Sequence, residues 1–265
     1  MTSSNKKVLI VFAHPEEKSF NGALLSAYVK HLESKGHEVK VSDLYKQNFK
    51  AVVDKADFLN LDKDTRFQPA AASYGAYAAK QLTPDVVAEQ EKLLWADTII
   101  FHFPIWWFGL PAILKGWFDR VFSCGFAYGT GEYTATRFGD RYGEGIFAGK
   151  RAFVIATCGG SNDQYSDRGI NGPMDHVLFT INHGLLFYTG CDVLPPVVIY
   201  RTDGRKEEGF QEAVDLVKER IDNFDSIKPI NYRKQNFGDY EIPSLRLKAG
   251  LEQPGETGYD IHIAK

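Results

Sequence analysis

The sequence predicts a doubly wound, five-stranded parallel α/β sheet. Short apolar runs alternate five times with longer segments of helical period, the pattern of strands covered on both faces by crossover helices. Stretches rich in aromatic residues and glycine follow several of these runs, where such sheets bind their ligands. Hydrophobic residues make up 44 % of the 265, enough for a sizeable core, and no internal repeat or low-complexity tract breaks the series.

Lys7 to Ala13 is an unbroken apolar run behind two lysines and reads as a buried strand. His14 to Ser19 is a loop. Phe20 to Ser34 then places Leu24, Leu25, Tyr28, Val29 and Leu32 at helical spacing, and Gly36 supplies a stop. His37 to Ser42 alternates weakly and is the second strand. Asp43 to Pro84 carries short helix-like pieces with turn residues at Pro69 and Gly75, an excursion from the sheet. Pro84 suits the first turn of a helix reaching about Trp95. Thr98 to Phe103, apolar except for Thr98 and His102, is the third strand. A helix follows from about Pro111 to Phe122, in which Asp119 and Arg120 read as a solvated pair or as packing anchors.

Phe126 to Gly149 is rich in Gly, Tyr and Thr and has no period. Loops of that length are functional or disordered. Arg151 to Thr157 is the fourth strand, Pro173 to Tyr188 a helix, and Val193 to Tyr200 the fifth strand. Pro195 and Pro196 predict a bulge or a late start in it. Glu207 to Phe224 is the last helix. From Lys228 the chain is polar and is expected to drape over the body or a partner subunit.

Composition excludes some classes. A formal net charge of -3 leaves no broad basic footprint for nucleic acid. Cys124, Cys158 and Cys191 have neither metal-type nor redox-pair spacing and suit a reducing compartment. No run approaches the roughly 18 apolar residues of a membrane helix, and no cleavage signal follows the first strand. A cytoplasmic protein is expected. A zinc-hydrolase helix and a nucleophile elbow are both absent.

Three loops carry the chemistry. His14, Ser19 and Asn21 surround a helix start whose unpaired amides suit a phosphate, although Ser19 as a plain cap explains it equally well. Pro104-Ile105-Trp106-Trp107-Phe108 puts more large rings between a strand and a helix than hinge packing needs. A flat ligand would use rings for its faces and backbone amides for its edge. Thr157-Cys158-Gly159-Gly160 lets backbone approach a ligand, and Tyr165 and Asn171 add donors that do not titrate near neutrality. Those donors suit the stabilisation of charge rather than strong general-base chemistry.

His14-Pro15 with Ser19-Phe20-Asn21, the run Leu82 to Gln90, Pro104 to Phe118 and Thr157 to Gly172 together resemble the NAD(P)H quinone dehydrogenases. The run Ala112-Ile113-Leu114-Lys115-Gly116-Trp117-Phe118 is especially specific. The resemblance implies a flavodoxin-like fold over residues 1–227, FAD as cofactor, NAD(P)H as donor and ping-pong reduction of quinones in a homodimer. The tail, 228–265, resembles that of bacterial relatives.

By resemblance, His14, Ser19, Phe20 and Asn21 bind the pyrophosphate end of FAD, and Gln68 reaches the partner's adenosine. Pro104, Ile105, Trp106, Trp107 and Phe108 cradle the isoalloxazine, with Thr157, Cys158, Gly159, Gly160 and Tyr165 on its other side. Trp107, Phe108, Tyr128 and Tyr188 form the acceptor pocket, the two tyrosines coming from across the dimer. Tyr165 and Asn171 are the implied catalytic residues.

There are departures. Cys158 replaces a threonine, its backbone N–H still being expected to serve. Thr130 replaces a pocket tyrosine, and residues 134–148 form a longer insert. Asn171 stands where one branch has histidine and another, which prefers a nicotinamide riboside, has asparagine. That branch binds a metal through two histidines and a cysteine. Here only His183 matches, with Phe187 at the second position, so no metal is expected. An azo- or nitroarene reductase would share the same machinery. A regulatory subunit docked on a membrane potassium transporter is the alternative from another class.

Overall fold

The computed structural model describes residues 5–204 and 206–265. Positions 1–4 of the expected 1–227 unit, and position 205 of the loop after the fifth strand, lie outside the described residues.

The sheet is built from β1 (Lys7–Phe12), β2 (Glu38–Asp43), β3 (Thr98–Pro104) and β4 (Arg151–Thr157), with β5 (Asp192–Val193) and β6 (Val197–Ile199) sharing its last position. All pairings are parallel, in the order β2-β1-β3-β4-β5, and β6 also pairs with β4. This is the flavodoxin-like order, with its switch point between β1 and β3. The fifth strand is split because Pro195 and Pro196 have no N–H to give to the ladder.

The α-helices among the described residues are α1 (Phe20–Ser34), α2 (Pro69–Ala78), α3 (Pro84–Trp95), α4 (Ala112–Val121), α5 (Met174–Ile181) and α6 (Glu207–Asn223), with α2 lying in the excursion between β2 and α3. The predicted helix from Pro173 to Tyr188 is α5 followed by a wider π-helical turn, Asn182–Phe187.

The unbroken apolar runs are explained by a core on each face. Leu9, Val11 and Phe101 point to one core, closed by Leu93 of α3, Trp117 of α4 and Leu178 of α5. Val8, Ile10 and Ile100 point to the other, closed by Leu24 and Tyr28 of α1 and Val217 of α6. Burial on both faces calls for apolar side chains at successive positions, as in β1; β3 keeps that run except at the buried Thr98 and His102, and the edge strand β2 is largely exposed.

The excursion between β2 and α3 is tied down by Arg120. Its guanidinium donates to Asp57 Oδ1 at 2.8 Å, Asp85 Oδ2 at 2.6 Å and the Lys50 carbonyl at 2.8 Å. Arg120 is therefore an anchor, whereas Asp119 is exposed and pairs with Lys115. Gly116 of α4 lets this segment pack closely, since a Cβ there would collide with the Ala51 carbonyl.

The tail folds back on the body. Arg233 donates to the carbonyls of Ile261 and Leu251, Gln235 is buried, and the Tyr240 hydroxyl meets His262 Nδ1 at 2.9 Å.

Candidate functional site

The ends of β1, β3 and β4 bring three loops to one edge of the sheet. In the first, Ser19 caps α1. Its hydroxyl donates to the Glu16 carbonyl at 2.6 Å and accepts from the Gly22 N–H at 3.1 Å, and its own N–H bonds Glu16 O at 3.2 Å. The Ser19 hydroxyl, expected at a phosphate, is thus engaged in helix capping. The amides of Phe20 and Asn21 have no acceptor among the described residues and remain available to an anion. His14 Nδ1 accepts the Glu16 N–H at 3.1 Å, and its ring centroid lies 6.3 Å from that of Trp106.

The second loop is a two-residue turn. Trp107 and Phe108 occupy its centre with φ of 49° and 60°. Two consecutive left-handed residues define a type I′ turn, which ordinarily holds Asn and Gly because a Cβ is strained there. The strain has a geometric result. Trp107 is 97 % exposed, Phe108 is 53 % exposed, and neither amide bonds within the described chain. Pro104 is the last residue of β3, and the Ile105 N–H is used up on the Thr157 carbonyl at 2.7 Å.

The third loop corrects one expectation. The Cys158 N–H is not available to a ligand, because it donates to the Ile199 carbonyl at 3.0 Å and so extends the sheet. Burial pushes its thiol up to about 11, leaving it protonated at neutral pH. The Gly159 and Gly160 amides have no acceptor among the described residues. A Cβ on Gly160 would come within 2.8 Å of the Tyr165 ring, so glycine here is what lets Tyr165 lie over the loop.

The Tyr165 ring sits 6.2 Å from Phe108 and 6.2 Å from Tyr200. Burial raises its pKa above the ordinary phenol value, which keeps it a donor. Backbone bonds from Tyr165 N–H to Asn162 O (3.1 Å), from Met174 N–H to Tyr165 O (3.1 Å) and from Asn171 N–H to Gln164 O (3.0 Å) fix the loop against α5. The Tyr165 hydroxyl and the Asn171 amide make no hydrogen bond within the described chain.

The chain does not bring all the expected acceptor residues together. Tyr128 and Tyr188 line a separate cavity of about 280 Å³ with Phe118, Phe122 and Leu185, and none of the three loops above contributes to it. Gln68 is exposed at the start of α2 and makes no side-chain capping bond.

Sequence reasoning missed a buried set beneath the loops. Asn21 Oδ1 is shared by His102 Nε2 at 3.0 Å and Thr157 Oγ1 at 2.9 Å, and Tyr28 meets His102 Nδ1 at 3.1 Å. The one signal available was His102, an imidazole inside an otherwise apolar strand. Also missed was a cavity of about 310 Å³ under the tail, where the His183 ring stacks between Tyr142 and Phe179.

Unpaired amides at Trp107, Phe108, Gly159 and Gly160, with flanking rings, fit a flat ligand that has a polar edge. The amides at the start of α1 fit an anionic extension of it. A flavin nucleotide has both parts.

Comparison with known proteins bears on that fit. Residues 6–221 match the family model described as a flavodoxin-like fold. The chain is 52 % identical over 256 residues to a ribosyldihydronicotinamide dehydrogenase-like protein of Penicillium crustosum, covering 97 % of this chain and 95 % of that one. It is 39 % identical over 247 residues to NAD(P)H dehydrogenase [quinone] 1 of Cavia porcellus, covering 93 % and 85 %. A solved structure from Klebsiella pneumoniae, described as a quinone reductase, superposes with a TM-score of 0.96 at 51 % identity, covering 98 % of this chain and all of that one.

Proposed function

The chain belongs to the flavodoxin-like family, among its quinone dehydrogenases, and we propose that the cleft rimmed by Trp107, Phe108 and Tyr165 is its catalytic site. The protein is an oxidoreductase that uses a flavin to carry electrons from NAD(P)H to small quinones. The observation that carries the site assignment is the convergence of unpaired amides and exposed rings at one sheet edge.

The residues divide the work. Pro104, Ile105, Trp106, Trp107 and Phe108 hold one side of the flavin ring. Thr157, Cys158, Gly159, Gly160 and Tyr165 hold the other, Cys158 by its place in the loop and not by its amide. The helix start at Phe20 and Asn21, with His14 and Ser19 shaping it, receives the phosphates. A flavin held there would supply two-electron hydride chemistry between the reduced nicotinamide and the quinone. Donor and acceptor occupy the one cleft in turn.

Tyr165 and Asn171 donate hydrogen bonds where negative charge develops and shed no proton at neutral pH. Gln68, exposed and uncommitted, serves an adenosine, so the flavin is FAD rather than FMN. Tyr128 and Tyr188 complete the cleft of a second copy. The extended C-terminal tail, 228–265, packs on the body.

Two measurements test this reading. Chromatography of the flavin released on denaturation is expected to give FAD, and FMN alone would overturn the cofactor assignment. Initial rates with NAD(P)H and a naphthoquinone are expected to give parallel reciprocal plots. Intersecting plots, or a flavin-loaded protein that reduces no quinone, azo dye or nitroarene, would overturn the catalytic one.

A further inference from the structure

Four side chains form one hydrogen-bonded series directly beneath the cleft. Tyr28 of α1 meets His102 Nδ1 of β3, His102 Nε2 meets Asn21 Oδ1, and Thr157 Oγ1 meets the same oxygen. Tyr28, His102 and Thr157 are wholly enclosed and Asn21 nearly so. Asn21 lies in the first turn of α1, His102 two residues before the end of β3, and Thr157 at the end of β4. The series therefore joins the roots of all three loops.

Its protons can be assigned. The Tyr28 hydroxyl has His102 Nδ1 as its one partner among the described residues. A sealed hydroxyl proton without an acceptor is costly, so Nδ1 must accept it. Burial, and after it the charge of His14, pushes the His102 pKa down to about 3, so the ring is neutral. A neutral imidazole that accepts at Nδ1 carries its proton on Nε2. Nε2–H then donates to Asn21, which must turn its carboxamide oxygen inward. The Thr157 hydroxyl donates to that same oxygen. The Phe12 ring, edge-on to His102 at 5.1 Å, holds the imidazole plane. The Asn21 amino group is left with no acceptor in the described chain, yet it is not among the sealed, unpaired atoms, so it reaches the surface.

We propose that Tyr28 and His102 are positioning residues that lock the Asn21 carboxamide with its two N–H bonds outward, so that it offers the flavin nucleotide donors and never an acceptor. This rests on the functional reading above and deepens it. Beside the unpaired amides of Phe20 and Asn21, an outward amino group adds to a surface of donors that suits a phosphate. A flipped carboxamide would set an oxygen against the same anion.

The test has two parts. In wild-type protein with 15N-labelled histidine, His102 is expected to show a protonated Nε2 and an unprotonated Nδ1, unchanged from about pH 5 to 8. A proton on Nδ1 would overturn the inference whatever the cofactor proves to be. In the second part, FAD is titrated into flavin-free variants by fluorescence quenching. Tyr28→Phe frees Nδ1 and permits the flip, and His102→Leu removes both contacts. Each is expected to weaken FAD binding about tenfold, the scale of one hydrogen bond to a charged group. His102→Gln, which donates to Asn21 and accepts from Tyr28, is expected to stay within about threefold of wild type. A merely structural role predicts loss in step with lowered melting temperature and no such rescue. Wild-type FAD affinity in Tyr28→Phe would overturn the inference, even if His102→Leu fails to fold. Failure of the wild type to bind any flavin would instead strike the functional reading, leaving the tautomer measurement to decide this one.

Discussion

Trp106 and Gly109 exchange both backbone hydrogen bonds, each at 3.1 Å, and so close a turn whose two central residues are forced into left-handed backbone. A tryptophan and a phenylalanine there cost stability that glycine would not. Trp107→Gly removes a ring that is 97 % exposed, so almost no burial is lost. The relief of about 1–2 kcal/mol of left-handed strain is offset by about 0.5–1 kcal/mol from the more flexible unfolded chain. The variant is expected to be between equally stable and about 1.5 kcal/mol more stable by urea unfolding. The KM for a naphthoquinone is expected to rise about two- to tenfold, the scale of one lost ring contact. A destabilised variant with unchanged KM would show that the ring packs in the free protein and does not serve the acceptor.

The separation of Tyr128 and Tyr188 from the Trp107 cleft leads to the second expectation. Within one chain these tyrosines line a different cavity, so a cleft that uses them needs a second copy. Light scattering should report about twice the 29.8 kDa of one chain. In a dimer, Tyr128→Ala mixed with an active-site variant such as Tyr165→Phe should yield hybrid dimers in which one cleft carries both changes and the other neither. A mass of one chain at assay concentration would exclude this arrangement.

How much of this was legible in the sequence depends on how local the cause is. Phe20–Ser34 and Arg151–Thr157 follow directly from apolar period and flanking punctuation, because each is buried by its own pattern. The π-helical turn after Ile181 was not legible, since Asn182–Phe187 keeps a helical composition while widening its hydrogen bonds. The candidate cleft was legible as three loops, but its donor list was not. The Cys158 amide is taken by Ile199, a partner set by where β6 happens to resume after two prolines. The Asn21–His102–Thr157 set was out of reach for the same reason: three separate elements meet there, and no single window of sequence contains them.

Arg120 offers a stability prediction away from the cleft. Its side chain and that of Asp57 are 1 % and 4 % exposed, so Arg120→Ala leaves a buried carboxylate with Lys50 as its remaining cation and the Asp54 N–H as a further donor. A loss of about 3–5 kcal/mol is expected, toward the lower end because Lys50 remains. Asp85 adds a pH dependence. Burial alone would raise its pKa, but the Arg120 hydrogen bond and charge outweigh that and hold it below the ordinary carboxylate value. A depressed native pKa stabilises the fold above the unfolded value of about 4 and loses that contribution as pH falls through the native one. Asp85→Asn should therefore flatten the acid side of a stability-versus-pH curve while leaving its shape above about pH 5 unchanged. An acid limb identical to wild type would mean that the pair is screened by solvent.

Tyr165 carries the last and most specific expectation. Its hydroxyl has no partner in the described chain, its pKa is raised by burial, and its ring is held by Gly160, Phe108 and the Met174 N–H bond to its carbonyl. The loop therefore fixes a proton donor that no group among the described residues uses. A donor held where a bound flavin would gain negative charge on reduction would lower the barrier to that step. Tyr165→Phe keeps the ring contacts and deletes only the donor. Stopped-flow reduction of the flavin-loaded variant by NAD(P)H is expected to slow by about tenfold to a hundredfold, one lost transition-state hydrogen bond or somewhat less. Flavin content should be unchanged. Asn171→Ala should slow the same step less, because the half-buried amide can be replaced by water. Asn171→His should introduce a dependence on pH near neutrality, where imidazole titrates and tyrosine and asparagine do not. If both residues only shape the loop, each substitution will loosen the flavin in proportion to the activity lost. An unchanged reduction rate in fully loaded Tyr165→Phe would remove Tyr165 from the chemistry.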